Sequence, residues 1–120
     1  MKRILIVEDQ ADIRDLIRMS LEHGDFEIHE AEDGDQGLQM AQRLAPDLVL
    51  LDVMMPGQLN GLAVCKRLKA DPSRKRTKVV MLSAKNQAAD KQAGLSAGAD
   101  AYLVKPFSPR QLLQSVAKVI

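Results

Sequence analysis

Four short apolar runs stand out along the chain, at positions 4–7, 48–51, 79–82 and 101–104, each rich in leucine or β-branched residues. None alternates apolar with polar, which predicts strands buried on both faces, as in a parallel sheet covered by helices. A fifth segment, 27–31, has only Ile28 and Ala31 as apolar members and is predicted as an edge strand. Between the runs the period lengthens to that of a helix: Ile13, Leu16, Ile17 and Leu21, then Leu38, Ala41 and Leu44, then Leu62, Cys65 and Leu68. The final helix is predicted over 109–119, with Ser108 as N-cap, Pro109 at the first helical position, and Leu112, Leu113, Val116 and Val119 as its stripe.

Turn residues punctuate the same divisions. Gly24 is expected to end the first helix, Pro46 and Asp47 follow the second, Asp71 and Pro72 the third, and Gly98 the fourth. Five strand–helix units imply right-handed crossovers and a doubly wound sheet. The predicted fold is therefore α/β, a flavodoxin-like (βα)5 three-layer sandwich with a five-stranded parallel sheet in the order 2-1-3-4-5.

Length and charge narrow the function. The 120 residues are expected to form one domain over 1–120, long enough to bury a core without a disulfide or structural metal. With 17 basic and 16 acidic residues, the chain offers no net field to attract nucleic acid or an anionic membrane. The single Cys65 has no partner for a disulfide, zinc site or redox pair, which fits a cytoplasmic setting. Only four apolar residues separate Arg3 from Glu8, too few for a signal peptide or membrane span.

In an open parallel sheet, ligands bind beyond the carboxyl ends of the strands. The residues there are Glu8 and Asp9 after the first run, Asp52 after the third, Ser83 after the fourth and Lys105 after the fifth. Three crowded carboxylates repel one another unless a proton or cation joins them. An oxygen-only donor set without His or Cys favours Mg²⁺. With Lys105 as a second positive charge, the set suits a phosphoryl group, and Asp52 is the expected nucleophile. Taken singly, Asp9 serves equally well as a helix cap, Asp12 is read as one, and Ser83 and Lys105 read as strand-end and turn residues. Their conjunction on four strand ends favours a site.

Glu8-Asp9, the stretch LLDVMMPG around Asp52, Ser83-Ala84 and Lys105-Pro106-Phe107 together resemble the receiver domain of bacterial two-component response regulators, across the whole chain. The resemblance implies phosphoryl transfer to Asp52 from a phosphohistidine on a sensor histidine kinase or histidine phosphotransfer protein. It implies Mg²⁺ contacts from Asp9, Asp52 and the main-chain carbonyl of Met54, with Glu8 acting through water. Lys105 would pair with the phosphate, Ser83 would hydrogen-bond it, and Tyr102 matches the aromatic residue that turns inward on switching. The surface expected to respond is the fourth helix, fifth strand and fifth helix, read by a downstream effector protein or a detached output domain. Lys105-Pro106 matches the place of a cis peptide.

Two departures from the family pattern are visible. MPGQLNG is one residue longer than the usual MPGMDG and has Asn60 in place of the acid, which puts the shape of the loop from 57 to 61 in question. Gln10 replaces a further acid, lowering the negative charge near the metal. Met54 and Lys85 resemble positions flanking the path of hydrolytic water, and a long apolar Met54 is expected to slow loss of the phosphoryl group. Met55, His23 and His29 are read as structural, the two histidines as surface groups. The run Arg74, Lys75, Arg76 and Lys78 is read as a solvated loop, and Gly94 and Gly98 as packing and helix termination.

Other function classes fit less well. A phosphatase of the haloacid-dehalogenase type needs a second Asp where Met54 stands. A flavin or nucleotide module needs a GxxxxGK[ST] or GxGxxG loop, and neither occurs. An unphosphorylated docking module would not need the full acidic set with Lys105. The chain is expected to be a phosphoacceptor switch rather than an enzyme, stand-alone or excised from a longer regulator, with no direct nucleic-acid or membrane contact.

Overall fold

The apolar runs become the centre of the molecule because each sends alternate side chains to opposite faces of one sheet. A computed structural model describes residues 1–55, 59–74, 76–84 and 88–120, with backbone only over 88–91. Strands β1 (Lys2–Val7), β2 (Phe26–Ala31), β3 (Leu48–Asp52), β4 (Lys78–Ser83) and β5 (Ala101–Val104) pair in parallel in the order β2-β1-β3-β4-β5. Helices α1 (Ala11–Leu21), α2 (Gly34–Leu44), α3 (Gly61–Ala70), α4 (Ala88–Ser96) and α5 (Pro109–Val119) connect and cover them, with a 3₁₀ turn at Pro72–Arg74. The architecture is the α/β one that the periodicity predicts, and the strand order is the flavodoxin-like one chosen for it. No helix among the described residues is long and apolar enough to cross a membrane.

Two cores flank the sheet. Leu5, Val7, Val49 and Leu51 face Leu38 and Ala41 of α2 and Val64, Cys65 and Leu68 of α3. Ile4, Ile6, Leu48 and Leu50 face the other way, onto Ile17 and Leu21 of α1 and Leu112 and Val116 of α5. Each fully buried aliphatic side chain contributes about 1.5–3 kcal/mol, so the two-faced burial of β1 and β3 fixes register as well as fold.

Several local expectations are corrected. Strand β5 is the second edge of the sheet, and all four of its residues are only half-buried, because no strand among the described residues pairs beyond it. Leu16, assigned to the apolar stripe of α1, is exposed, while Ile17 and Leu21 carry the burial. Helix α1 ends at Leu21 with Glu22 as its C-cap, and Gly24 sits in the following turn, its N–H bonded to the Leu21 carbonyl. Asp12 is not a cap: the N-cap is Gln10, whose side chain makes no capping bond, and Asp12 lies in the first turn, where its charge suits the helix dipole. His29 is half-buried on β2 and paired with Glu27 at 2.9 Å.

Arg74 is not a solvated loop residue. Its guanidinium bonds the carbonyls of Ala41 and Gln42, closing the C-terminal end of α2. Helix α2 there ends on Ala45 in the left-handed region (φ 49°), a conformation that a Cβ disfavours. Gly98 after α4 (φ 100°) is the glycine terminator expected, and a Cβ on Gly94 would lie 3.2 Å from the Tyr102 ring, so both serve packing and termination.

Candidate functional site

The parallel register delivers the strand ends to one place. Val7 pairs with Leu51, Asp52 with Leu82 and Ser83 with Val104, so Glu8, Asp52, Ser83 and Lys105 follow one another across the carboxyl edge. Backbone bonds extend this alignment past the strands: Glu8 N–H to the Ala31 carbonyl, Val53 N–H to Leu82 and Lys105 N–H to Ser83. Asp52, Glu8 and Ser83 are almost wholly buried, at 4%, 0% and 1% exposure, while Asp9 is half-buried.

Lys105 binds this cluster together. Its ammonium lies 2.5 Å from Glu8 Oε1 and 3.3 Å from Asp52 Oδ1. Burial pulls the ammonium pKa down, but the hydrogen bond to Glu8 and the charges of Asp52 and Glu8 outweigh it, and the net shift is upward. Glu8 is pushed up to about 8, by burial first and then by contact with Asp52, against the opposing pull of Lys105. Its Oε2 is a buried oxygen with no hydrogen-bond partner among the described residues. A buried carboxylate oxygen left unpaired is costly and marks a place for a proton or a cation.

That observation tests whether a divalent cation fits. Ligand oxygens of Glu8, Asp9 and Asp52 all lie within 4.8 Å of one another, a span that a single ion can bridge. The donors are carboxylates only, the chemistry of Mg²⁺ rather than zinc or copper. The acidic cluster is compatible with a divalent metal.

Neighbouring loops shape the approach. Asn60 caps α3, its side chain accepting from Ala63 N–H, so the residue replacing an acid keeps a helix-starting role. Gly61 is required here: a Cβ would lie 2.8 Å from Val53 Cα and closer still to the Asp52 carbonyl. Met54 N–H donates to Asp52 Oδ1 at 3.3 Å, and the Met54 side chain is 59% exposed. Met54, Asn60, Ser83 and Tyr102 line an open cleft of about 350 Å³. Met55 is buried in the core, as its structural reading requires. Lys105 also borders an apolar cleft of about 290 Å³ with Ile13, Leu16, Pro106 and Phe107. The Lys105-Pro106 peptide is cis. Gly57 and Gln58 of the lengthened loop, Lys75 and Lys85 lie outside the described residues.

Sequence reasoning passed over one residue of this site. Arg14, on the second turn of α1, donates to the Glu8 carbonyl at 2.8 Å. The available signal is weak: an arginine between Asp12 and Asp15 on a predicted helix reads as a surface residue.

Residues 4–117 match the response regulator receiver domain family. The chain belongs to the response regulator receiver family. Among solved structures, the receiver is similar to the chemotaxis protein CheY4 of Vibrio cholerae, with 32% identity, a TM-score of 0.93, and 100% and 99% of the two chains covered. Among curated proteins, it is 42% identical to the transcriptional regulatory protein ResD of Bacillus subtilis, covering 98% of this chain and 48% of that one. It is 41% identical to the phosphate regulon transcriptional regulatory protein PhoB of Escherichia coli, covering 99% and 52%. The receiver thus spans about half the length of the curated relatives it matches. Receivers act as phosphoacceptor switches, not as conventional enzymes, and work with histidine kinases or phosphotransfer proteins and with downstream effectors.

Proposed function

We propose that residues 1–120 form one receiver domain in which Asp52 accepts a phosphoryl group from a phosphohistidine donor, with Mg²⁺ held by Asp9, Asp52 and the Met54 carbonyl. The observation that carries this reading is the convergence of three carboxylates within 4.8 Å with an ammonium 3.3 Å from one of them. Bound Mg²⁺ would neutralise charge on the phosphoryl oxygens. An Asp52 carboxylate oxygen attacks phosphorus, an O–P bond forms, the donor's N–P bond breaks, and the electron pair leaves with the imidazole nitrogen. Lys105 is within reach to turn from Glu8 toward the new phosphoryl group, and Glu8 supports the cation through water.

Ser83 and Tyr102 form the switch in this reading. Both line the cleft beside Asp52, and the Tyr102 ring lies against Gly94 of α4. A phosphoryl group drawing the Ser83 hydroxyl toward it would repack α4, β5 and α5, the surface offered to a downstream effector protein or a detached output domain. Exposed Met54 stands at the mouth of the same cleft, where its side chain would hinder water. The donor is a sensor histidine kinase or phosphotransfer protein, and the single buried Cys65 suits a cytoplasmic location.

Incubation with a small-molecule phosphodonor, followed by intact mass, tests the reading. A gain of one phosphoryl group that needs Mg²⁺ and disappears in Asp52→Asn is the expected result. A gain that persists in Asp52→Asn would overturn the assignment of the acceptor.

A further inference from the structure

Helix α1 begins without the device that starts α2, α3 and α5. Asp33, Asn60 and Ser108 each cap their helix with a side-chain oxygen, whereas Gln10 makes no such bond. The loop carrying Glu8 and Asp9 therefore enters α1 with no local side-chain clamp. A bond from a side chain of the helix itself, six residues along, replaces it. Arg14 Nη1 donates to the Glu8 carbonyl at 2.8 Å, while Glu8 N–H is bonded to Ala31. Both backbone polar groups of Glu8 are thereby fixed, and the chain direction into Asp9 is fixed with them.

The guanidinium is itself held. Its side chain is 14% exposed, its Nε lies 3.4 Å from Glu30 Oε1 and its Nη2 3.8 Å from Glu32 Oε1. Glu30, in register with Ile6 of β1, is bonded also by Arg18 at 2.9 Å. The planar fork of an arginine can serve a carbonyl and carboxylates together, which an ammonium does poorly.

We propose that Arg14 is a positioning residue for the divalent-cation site, setting the main chain at Glu8 and Asp9 so that their carboxylates converge on Asp52. The inference rests on the cation-binding reading above. Its sign is distinctive. By charge alone, removing a cation near three acids would tighten Mg²⁺ binding. By positioning, removing Arg14 weakens it, by about tenfold, the lower end of what groups orienting metal ligands from behind contribute.

The test is calorimetric titration of the full chain with MgCl₂ for the parent protein, Arg14→Gln, Arg14→Lys and Arg18→Gln, with thermal melts alongside. Expected are a tenfold rise in Kd for Arg14→Gln, an intermediate rise for Arg14→Lys, and an unchanged Kd for Arg18→Gln, which loses a pairing to the same Glu30 but no bond to Glu8. At saturating Mg²⁺ the phosphorylation rate of Arg14→Gln should return to that of the parent. Equal or tighter binding by Arg14→Gln would overturn the inference while leaving the cation site intact, as would an equal loss in Arg18→Gln. If Arg14→Gln does not fold, parent-like binding by Arg14→Lys would overturn it. Absence of saturable binding by the parent would overturn the cation reading and this inference with it.

Discussion

Lys105 spans Glu8 and Asp52, 2.5 Å from one carboxylate and 3.3 Å from the other, although 97 residues separate it from Glu8. The ammonium is thus shared between a fully buried acid and the proposed phosphoacceptor. The shorter contact holds it in place, and the longer one gives the direction in which phosphorylation would draw it.

Lys105→Met keeps the length of the side chain and removes its charge. Phosphoryl transfer to Asp52 at saturating Mg²⁺ is expected to fall on the order of 10²-fold, the usual loss when a charge-stabilising donor is removed. Mg²⁺ itself should bind more tightly, since a repelling neighbour is gone. Time courses by intact mass at several Mg²⁺ concentrations separate the two effects, and an unchanged saturated rate would exclude Lys105 from the transfer step.

Glu8 links the site to pH. With metal chelated, its folded-state pKa of about 8 exceeds the ordinary 4.5, so the folded chain holds a proton that the unfolded chain releases. Stability is then expected to fall as pH rises from 4.5 to 8 and to level off above, because the folded state binds more protons throughout that window. Mg²⁺ competes with the same proton, so its affinity should rise over the window. Urea midpoints from about pH 5.5 to 8.5, with chelator and with Mg²⁺, check the slope of each curve. A flat curve in chelator would show Glu8 ionised throughout.

Ala45 offers a stabilising change away from the site. Its left-handed φ of 49° costs an L-residue about 1–2 kcal/mol that glycine avoids. Ala45→Gly is expected to raise stability by about 1 kcal/mol after the entropy of the freer unfolded chain is subtracted. Equilibrium urea unfolding measures the gain, and phosphorylation should be unaffected.

Cys65 should be chemically silent. Burial pushes its thiol up to about 11, and its Sγ contacts the Ala97 carbonyl at 3.4 Å. A thiol reagent at pH 8 is expected to label it only as fast as the fold opens, with immediate reaction in denaturant. Rapid labelling of the native chain would contradict the packing of α3 on the sheet.

The α/β architecture and the identity of the strand-end residues were legible because local pattern governs them, whereas the strand order followed from choosing the flavodoxin-like arrangement for alternating strand–helix units. Unbroken apolar runs require two covered faces, and in parallel strands the residues just past each run share one edge whatever the loops do. Thus Glu8, Asp52, Ser83 and Lys105 needed only the order of elements to be brought together. What the chain does not spell out locally is the choice among competing partners. Gln10 rather than Asp12 opens α1, β5 remains half-buried as an edge, and Arg74 closes α2 instead of meeting solvent. Arg14 looked like any helical surface arginine until the fold set it beside the Glu8 carbonyl.

The sequence by itself determined which groups meet, since period and strand ends are properties of neighbouring residues. Only the tertiary structure decided how they are held: which oxygen Lys105 touches, which oxygen of Glu8 lacks a donor, and which arginine fixes the loop. Those depend on distances of a few tenths of an ångström between side chains of different elements, and these are set by packing rather than by local preference.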